Sequence, residues 1–303
     1  NQSSIRYNNI YNMREEIWTN KSINTILGNL IHDKATDFCT NCQHSYIILG
    51  GGGNIIKYNR MYESNPTTLD LNAININNSS GTNPIIENNI IGSINNVRQG
   101  KIGIIFDYGA NDLTSIKNNQ IGGYDVNLQI DRPSPIFKHN SFIGEMNLAS
   151  GDRNVLVNPN GFSQSEVAID MKENYWGNVA ASDINNSITD YEDDFQLKGN
   201  VDYSNALTSP HPATPISSVK NLKITRLASS TSLTWDANTE TDLAGYKLHY
   251  GALTNGSYAT VLDLGNVTSK TLNVGLGVTD GITLTAYDAD ADGTDDQIEG
   301  HES

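Results

Sequence analysis

At 303 residues the chain is long enough for two domains, and with 37% hydrophobic and 17% charged residues it has the composition of an ordinary folded protein. A formal charge of −15 argues against a nucleic-acid partner, because phosphate recognition is driven by lysine and arginine. No apolar run approaches the length of a membrane span, and abundant Asn, Ser and Thr at low charge density suit a secreted or cell-surface protein.

From Ile5 to Trp176 a hexapeptide of the form apolar–any–any–Asn–any–apolar recurs, its Asn falling at Asn8, Asn29, Asn59, Asn89, Asn119, Asn140 and Asn174. The steps are 21, 30, 30, 30, 21 and 34 residues, and self-similarity at such periods marks a solenoid. A helical repeat would show apolar residues at a spacing of about 3.6 over ten or more positions. These units are instead short runs of Ile and aromatic residues bounded by Gly, Asn, Pro and Ser, so each repeat reads as a coil of short strands. Each strand is expected to pair in parallel with its counterpart in the next coil. An Asn inside each corner can bond both its own backbone and the Asn of the neighbouring coil, forming an asparagine ladder. That Asn is also expected to take the left-handed conformation of the corner. The first residues already stand in repeat register, so further coils upstream, a removed leader, self-assembly or a partner over the N-terminal end are expected, since a bare solenoid end exposes strand edges.

The residue after the first apolar of each repeat should point outward, and this column reads Arg6, Leu27, Lys57, Glu87, Lys117, Lys138 and Lys172. A mainly cationic stripe repeating at the strand spacing of ~4.8 Å, close to the rise of one sugar, points to acidic polysaccharide on Arg6, Lys57, Lys117, Lys138 and Lys172. The alternative is that lysine is simply the solvent-facing, anti-aggregation residue of strands. Cys39 and Cys42 form a Cys-Thr-Asn-Cys turn with His44 and His32 nearby. A structural disulfide is the preferred reading, with half a zinc site or a redox pair as alternatives.

The ladder and the closing Glu173-Asn174-Tyr175-Trp176-Gly177-Asn178 resemble the right-handed parallel β-helix repeat proteins of bacterial secreted and surface polypeptides. This resemblance covers roughly residues 1–205, within a β-helix domain read as 1–207, and implies the fold more than the function, because that family includes polysaccharide lyases, glycoside hydrolases, epimerases, tailspikes and non-catalytic proteins. The epimerase Asp-Pro-Asn-Asp is missing, and Asp131-Arg132-Pro133 matches only part of the pectate lyase segment. Glycoside hydrolysis needs two carboxylates about 5–10 Å apart across one cleft. Asp107, Asp131 and Arg132 are the foremost catalytic candidates, with Asp125, Asp152, Arg153 and His139 behind them, but they form no constellation and read more naturally as turn residues or surface ion pairs.

Residues 208–215, with Pro210, Pro212 and Pro215, read as a stiff linker. Beyond it, 216–303 carries short alternating strands at Leu222–Ile224, Ser232–Trp235, Gly245–Tyr250, Thr260–Leu262, Thr271–Val274 and Ile282–Ala286, a β-sandwich pattern. The stretch from Leu233 to Tyr250, with Trp235, Tyr246 and Tyr250, resembles bacterial fibronectin type III domains, which implies an immunoglobulin-like sandwich that serves as a spacer or mediates contacts. In its last hairpin loop, Asp288, Asp290, Asp292, Thr294 (through its carbonyl), Asp296 and Glu299, with Gly293 at the sixth position, fit a twelve-residue calcium loop. No flanking helices are expected, and the alternative is a solvated acidic loop. Calcium is thus the one expected cofactor, with none organic.

The sequence therefore reads as an all-β chain, a parallel β-helix followed by a sandwich. Its expected role is structural or adhesive at the cell exterior, contacting polysaccharide or other surface proteins. The alternative is a polysaccharide lyase or glycoside hydrolase with an appended module.

Overall fold

The computed structural model describes all residues except 1–2, 20–23, 36–43, 68, 78–82, 93–97, 107–113, 132–134, 144–147, 159–166, 178–179, 255–256 and 278. The chain divides into two compact units, Asn1–Thr214 and Pro215–Ser303.

The first unit is a parallel β-solenoid. One six-stranded sheet stacks Ser3–Arg6, Asn24–Leu27, Ile55–Lys57, Ile85–Glu87, Ser115–Lys117 and Ile136–Lys138. A second stacks Asn9–Tyr11, Leu30–His32, Arg60–Tyr62, Ile90–Gly92, Gln120–Gly122 and Ser141–Phe142. A third, seven-stranded, runs from Ile17–Thr19 through His44–Leu49, Leu71–Ile76, Gly100–Phe106, Tyr124–Ile130 and Arg153–Val157 to Ile188–Thr189. The hexapeptide makes the corner between the first two sheets. Its first apolar residue lies one position before the end of a strand and points inward, and its last follows the first residue of the next strand, also inward, so like residues pile up from coil to coil. The columns Ile26, Ile56, Ile86, Ile116, Phe137 and Ile31, Met61, Ile91, Ile121, Phe142 are buried throughout, as is Ile47, Ile74, Ile104, Leu128, Val155 in the third sheet. Phe142 stacks on Trp176 at 4.6 Å beyond the last of these strands.

The seven Asn residues form an unbroken file of hydrogen bonds. In all but the last, Asn174, the side-chain amide Nδ2 donates to the Oδ1 of the next Asn at 2.9–3.2 Å. The backbone N–H of the same six donates to the same oxygen at 2.8–3.1 Å. From Asn29 onward the Nδ2 also reaches a carbonyl of the preceding coil. One detail departs from the sequence reading. The left-handed residue of each corner is the one before the ladder Asn: Tyr7, Gly28, Tyr58, Asn88, Asn118, His139 and Glu173, with φ between 55° and 64°. The ladder Asn is thereby left free to aim its amide along the stack, and Tyr or Glu is tolerated at the corner because the ladder and sheet bonds on either side impose its backbone.

Step length is taken up between strands. In the 30-residue coil, residues 93–99 separate Gly92 from Gly100, whereas in the 21-residue coil only Gly123 separates Gly122 from Tyr124.

In the second unit, Lys223–Arg226, Thr231–Thr234 and Ser269–Leu272 form one antiparallel sheet, and Ser257–Gly265, Leu243–Thr254 and Gly281–Asp288 form another. Each expected strand falls on or overlaps one of these six. Leu233, Trp235, Leu272, Tyr246, Leu248, Leu284 and Ala286 share one core, with Trp235 edge-on to Tyr246 at 5.4 Å. The acidic loop closes with a short helix, Asp296–Glu299, which the sequence reading did not include.

Candidate functional site

The expected cationic column is assembled in register, Arg6 against Leu27, Leu27 against Lys57, Lys57 against Glu87, Glu87 against Lys117 and Lys117 against Lys138. Its charge, however, is largely cancelled. Lys57 pairs with Glu87 at 2.8 Å, Lys138 lies 3.3 Å from Glu173 and 3.7 Å from Asp170, and Lys172 pairs with Asp202 at 2.9 Å. A hydrogen bond from the Ser204 hydroxyl, reinforced by Lys172, holds the Asp202 carboxyl down at about 2. The acids come from within the column itself or from the adjacent coil, so reading one column in isolation overstates its positive charge. The face is a mixed-charge lattice, and exposed pairs of this kind contribute little to stability.

A second outward column, which the sequence reading passed over, is the residue after the last apolar of the hexapeptide. There Tyr11, His32 and Tyr62 lie in register on the outer face of the second sheet. Their rings stack, Tyr11 on His32 at 5.5 Å and 19° and His32 on Tyr62 at 5.2 Å and 7°. His32 is fixed at both nitrogens, by Asp33 at 2.8 Å and Asn9 at 2.9 Å. Burial works against the charge of Asp33, but hydrogen bonds from the Ser64 amide and hydroxyl and from His32 outweigh it and hold the carboxyl below its ordinary value. The result is a strip of aromatic edges rimmed by fixed polar groups. Tyr11 is 63% exposed. The recurrence of Tyr, His and Tyr at one repeat position is the signal that would have located it.

The catalytic candidates are not brought together among the described residues. Asp107 and Arg132 lie outside those residues, and Asp131 is buried, accepting a bond from Gln129 at 3.3 Å. Asp125 is clamped by Arg98 at 2.6 Å, and Arg153 donates to the Thr189 hydroxyl at 2.8 Å. A buried polar group does exist in the wall between the second and third sheets. Glu63 accepts bonds from the Lys34 amide at 2.9 Å and from the Tyr46 hydroxyl, while its backbone pairs with the Gln99 side chain at 2.7 and 3.1 Å. Burial raises the Glu63 pKa and lowers that of Lys34, with Glu16 at 3.7 Å partly restoring the latter. Glu63 is only 7% exposed, so this network satisfies the coil interior.

In the second unit, Asp288 and Asp296 of the acidic loop are buried, and Asp290, Asp292, Thr294 and Glu299 are exposed. Asp288 accepts from the Asp290 amide at 2.9 Å and pairs with His301 at 2.9 Å. Asp296 accepts from the Asp292 and Gly293 amides at 2.9 Å and lies 3.7 Å from the Lys247 ammonium. Oxygen donors of this number and spacing have the chemistry calcium requires. In this structure the carboxylates face amides and internal cations, and no three acids or histidines among the described residues converge on one point.

Cys39 and Cys42 lie outside the described residues. His44 is 4.0 Å from Glu16, and His32 belongs to the aromatic strip. No helix is long and apolar enough to cross a membrane among the described residues. No protein-family model and no curated protein matches the chain.

Proposed function

We propose that this chain is a non-catalytic protein of the cell exterior, a β-helix rod followed by a fibronectin type III-like module, whose rod face contacts polysaccharide or other surface proteins. The observation that carries this reading is the Tyr11–His32–Tyr62 strip with its polar rim of Asn9, Asp33 and Ser64. Apolar C–H groups of a sugar can rest along the exposed ring edges of this strip, its hydroxyls can bond to the fixed carboxylate and amide groups, and the spacing of about 5 Å between coils repeats at the scale of one sugar unit. The ion-paired lysine column beside it favours a ligand of mixed polarity over a purely acidic one. Rigid coils present such groups with no ordering cost at binding.

The test is affinity electrophoresis through gels containing neutral and uronate polysaccharides. Retention is expected in at least one gel. Replacing Tyr11 and Tyr62 together by Ala should weaken it about tenfold or more, the loss of two aromatic contacts, while Lys57→Gln changes it less than about twofold. New reducing ends or an unsaturated product, abolished by Asp131→Asn, would place the protein instead among the polysaccharide lyases and hydrolases.

The acidic loop is proposed to hold calcium through Asp288, Asp290, Asp292, the Thr294 carbonyl, Asp296 and Glu299. The carboxylates would exchange their amide, Lys247 and His301 contacts for the ion, tying Gly281–Asp288 to the segment that follows the loop. Calcium at 100 times its dissociation constant would then add about 2.7 kcal/mol to the second unit. Calorimetry should show the transition of that unit rising with calcium and falling with chelator while the solenoid transition stays put. Identical transitions in both conditions would remove the ion from the account.

A further inference from the structure

Residues 208–214, most of the stretch 208–215 that reads as a stiff linker, belong to the first unit and lie along the solenoid corner. The His211 ring stacks on the His139 ring at 3.7 Å and 4°. The Thr214 hydroxyl donates to the His139 carbonyl at 2.9 Å, and the Asn88 side chain donates to the Ala213 carbonyl at 2.6 Å. Within the segment, the Ala213 amide donates to Nδ1 of His211 at 3.1 Å, and the Thr214 amide to the His211 carbonyl at 2.8 Å. The first of these bonds requires His211 to be unprotonated at Nδ1. His139 is the left-handed corner residue of its coil, so its ring is held outward by the ladder behind it.

We propose that residues 208–214 are a pH-operated strap, fastened to the corner column at neutral pH by the neutral His139–His211 stack and released when the two imidazoles take up protons. Two parallel imidazolium rings this close repel each other, and protonation of His211 also removes the acceptor for the Ala213 amide. The remaining charges facing the stack act in opposite senses, Glu173 favouring a proton on His139 and the nearby lysines opposing it. Glu173 lies 3.7 Å from Nε2 of His139 and would draw a protonated ring toward itself and away from His211. Lys138, which is shared between Glu173 and Asp170, and Lys117 on the preceding coil add positive charge that disfavours the proton on His139. On the strap, His211 is the only titratable side chain.

Burial, then the neighbouring His211, hold the His139 pKa below its ordinary value against the pull of Glu173. A histidine whose pKa is depressed by docking favours the docked form above the ordinary imidazole value of about 6.5, and that preference is lost as pH falls through it.

Hydrogen exchange of the full chain, corrected for intrinsic rates, tests the strap. Protection of the Thr214 amide should fall by about tenfold or more between pH 7.5 and pH 5.0, while the Asn89 amide in the ladder keeps its protection. In His211→Phe, which keeps a stacked ring without a titrating group, Thr214 should change less than about twofold over the same range. An unchanged Thr214 in the wild type, an equal loss in His211→Phe, or a parallel loss at Asn89 would each overturn the proposal.

Discussion

Replacing Asn89 by Leu should lower the stability of the solenoid by about 3–5 kcal/mol, read as a shift of the urea midpoint. The Asn89 amide donates to the Ile56 carbonyl at 2.9 Å, the Glu87 carbonyl at 3.0 Å and Oδ1 of Asn119 at 2.9 Å. Its own Oδ1 accepts from the Asn59 amide at 2.9 Å and the Asn59 side chain at 3.0 Å. Leucine fits the volume and satisfies none of these, leaving donors and acceptors of three coils short of partners at about 1–3 kcal/mol for each group that water cannot reach. Asn8 is exposed in this structure and donates to the Arg6 carbonyl and to Asn29, so Asn8→Leu should cost about 1 kcal/mol. Equal effects at the two positions would mean that the ladder does not carry the load assigned to it.

Gly92→Ala should cost about 3–5 kcal/mol, and Gly151→Ala only about 1–2 kcal/mol. Both glycines occupy the left-handed region, with φ of 93° and 99°, so the intrinsic strain of a side chain is similar. They differ in space. A Cβ on Gly92 would sit 1.8 Å from the Gly122 carbonyl oxygen and 2.9 Å from the Tyr124 ring, whereas nothing lies within 4 Å of one on Gly151. Gly92 and Gly122 face each other across adjacent coils, so relief requires the backbone of both to move. Thermal denaturation of the two variants isolates the stacking clash from the strain, and similar melting temperatures would contradict this close approach of the coils.

Much of this architecture was legible because the solenoid repeats its instructions. Asn at one fixed place in a short apolar frame determines both the corner and the register, and the repeat alone aligns Ile26, Ile56, Ile86 and Ile116 as they pair in the sheet. The strands of the second unit were legible for the related reason that alternation around Trp235 and Tyr246 has period two. What escaped was whatever depends on two coils at once. Lys172 meets Asp202 and Lys57 meets Glu87 across thirty residues, a separation at which charge patterning along the chain carries no signal. The left-handed residues Tyr58 and Glu173 have no turn propensity of their own and take that conformation because the bonds around them impose it. His139 and His211 are far apart in sequence and meet only because the chain returns along the corner column after its last coil.

The ladder is the claim on which the rod, its outer strip and the strap all rest, and backbone hydrogen exchange at Asn59, Asn89 and Asn119 tests it most directly. Each of these amides donates to an Asn side chain in the next coil inside a fully buried file, so all three should exchange only through global unfolding of the solenoid, at the rate set by its full stability. Exchange at the rates of an unprotected peptide, with the neighbouring strand amides still protected, would contradict it.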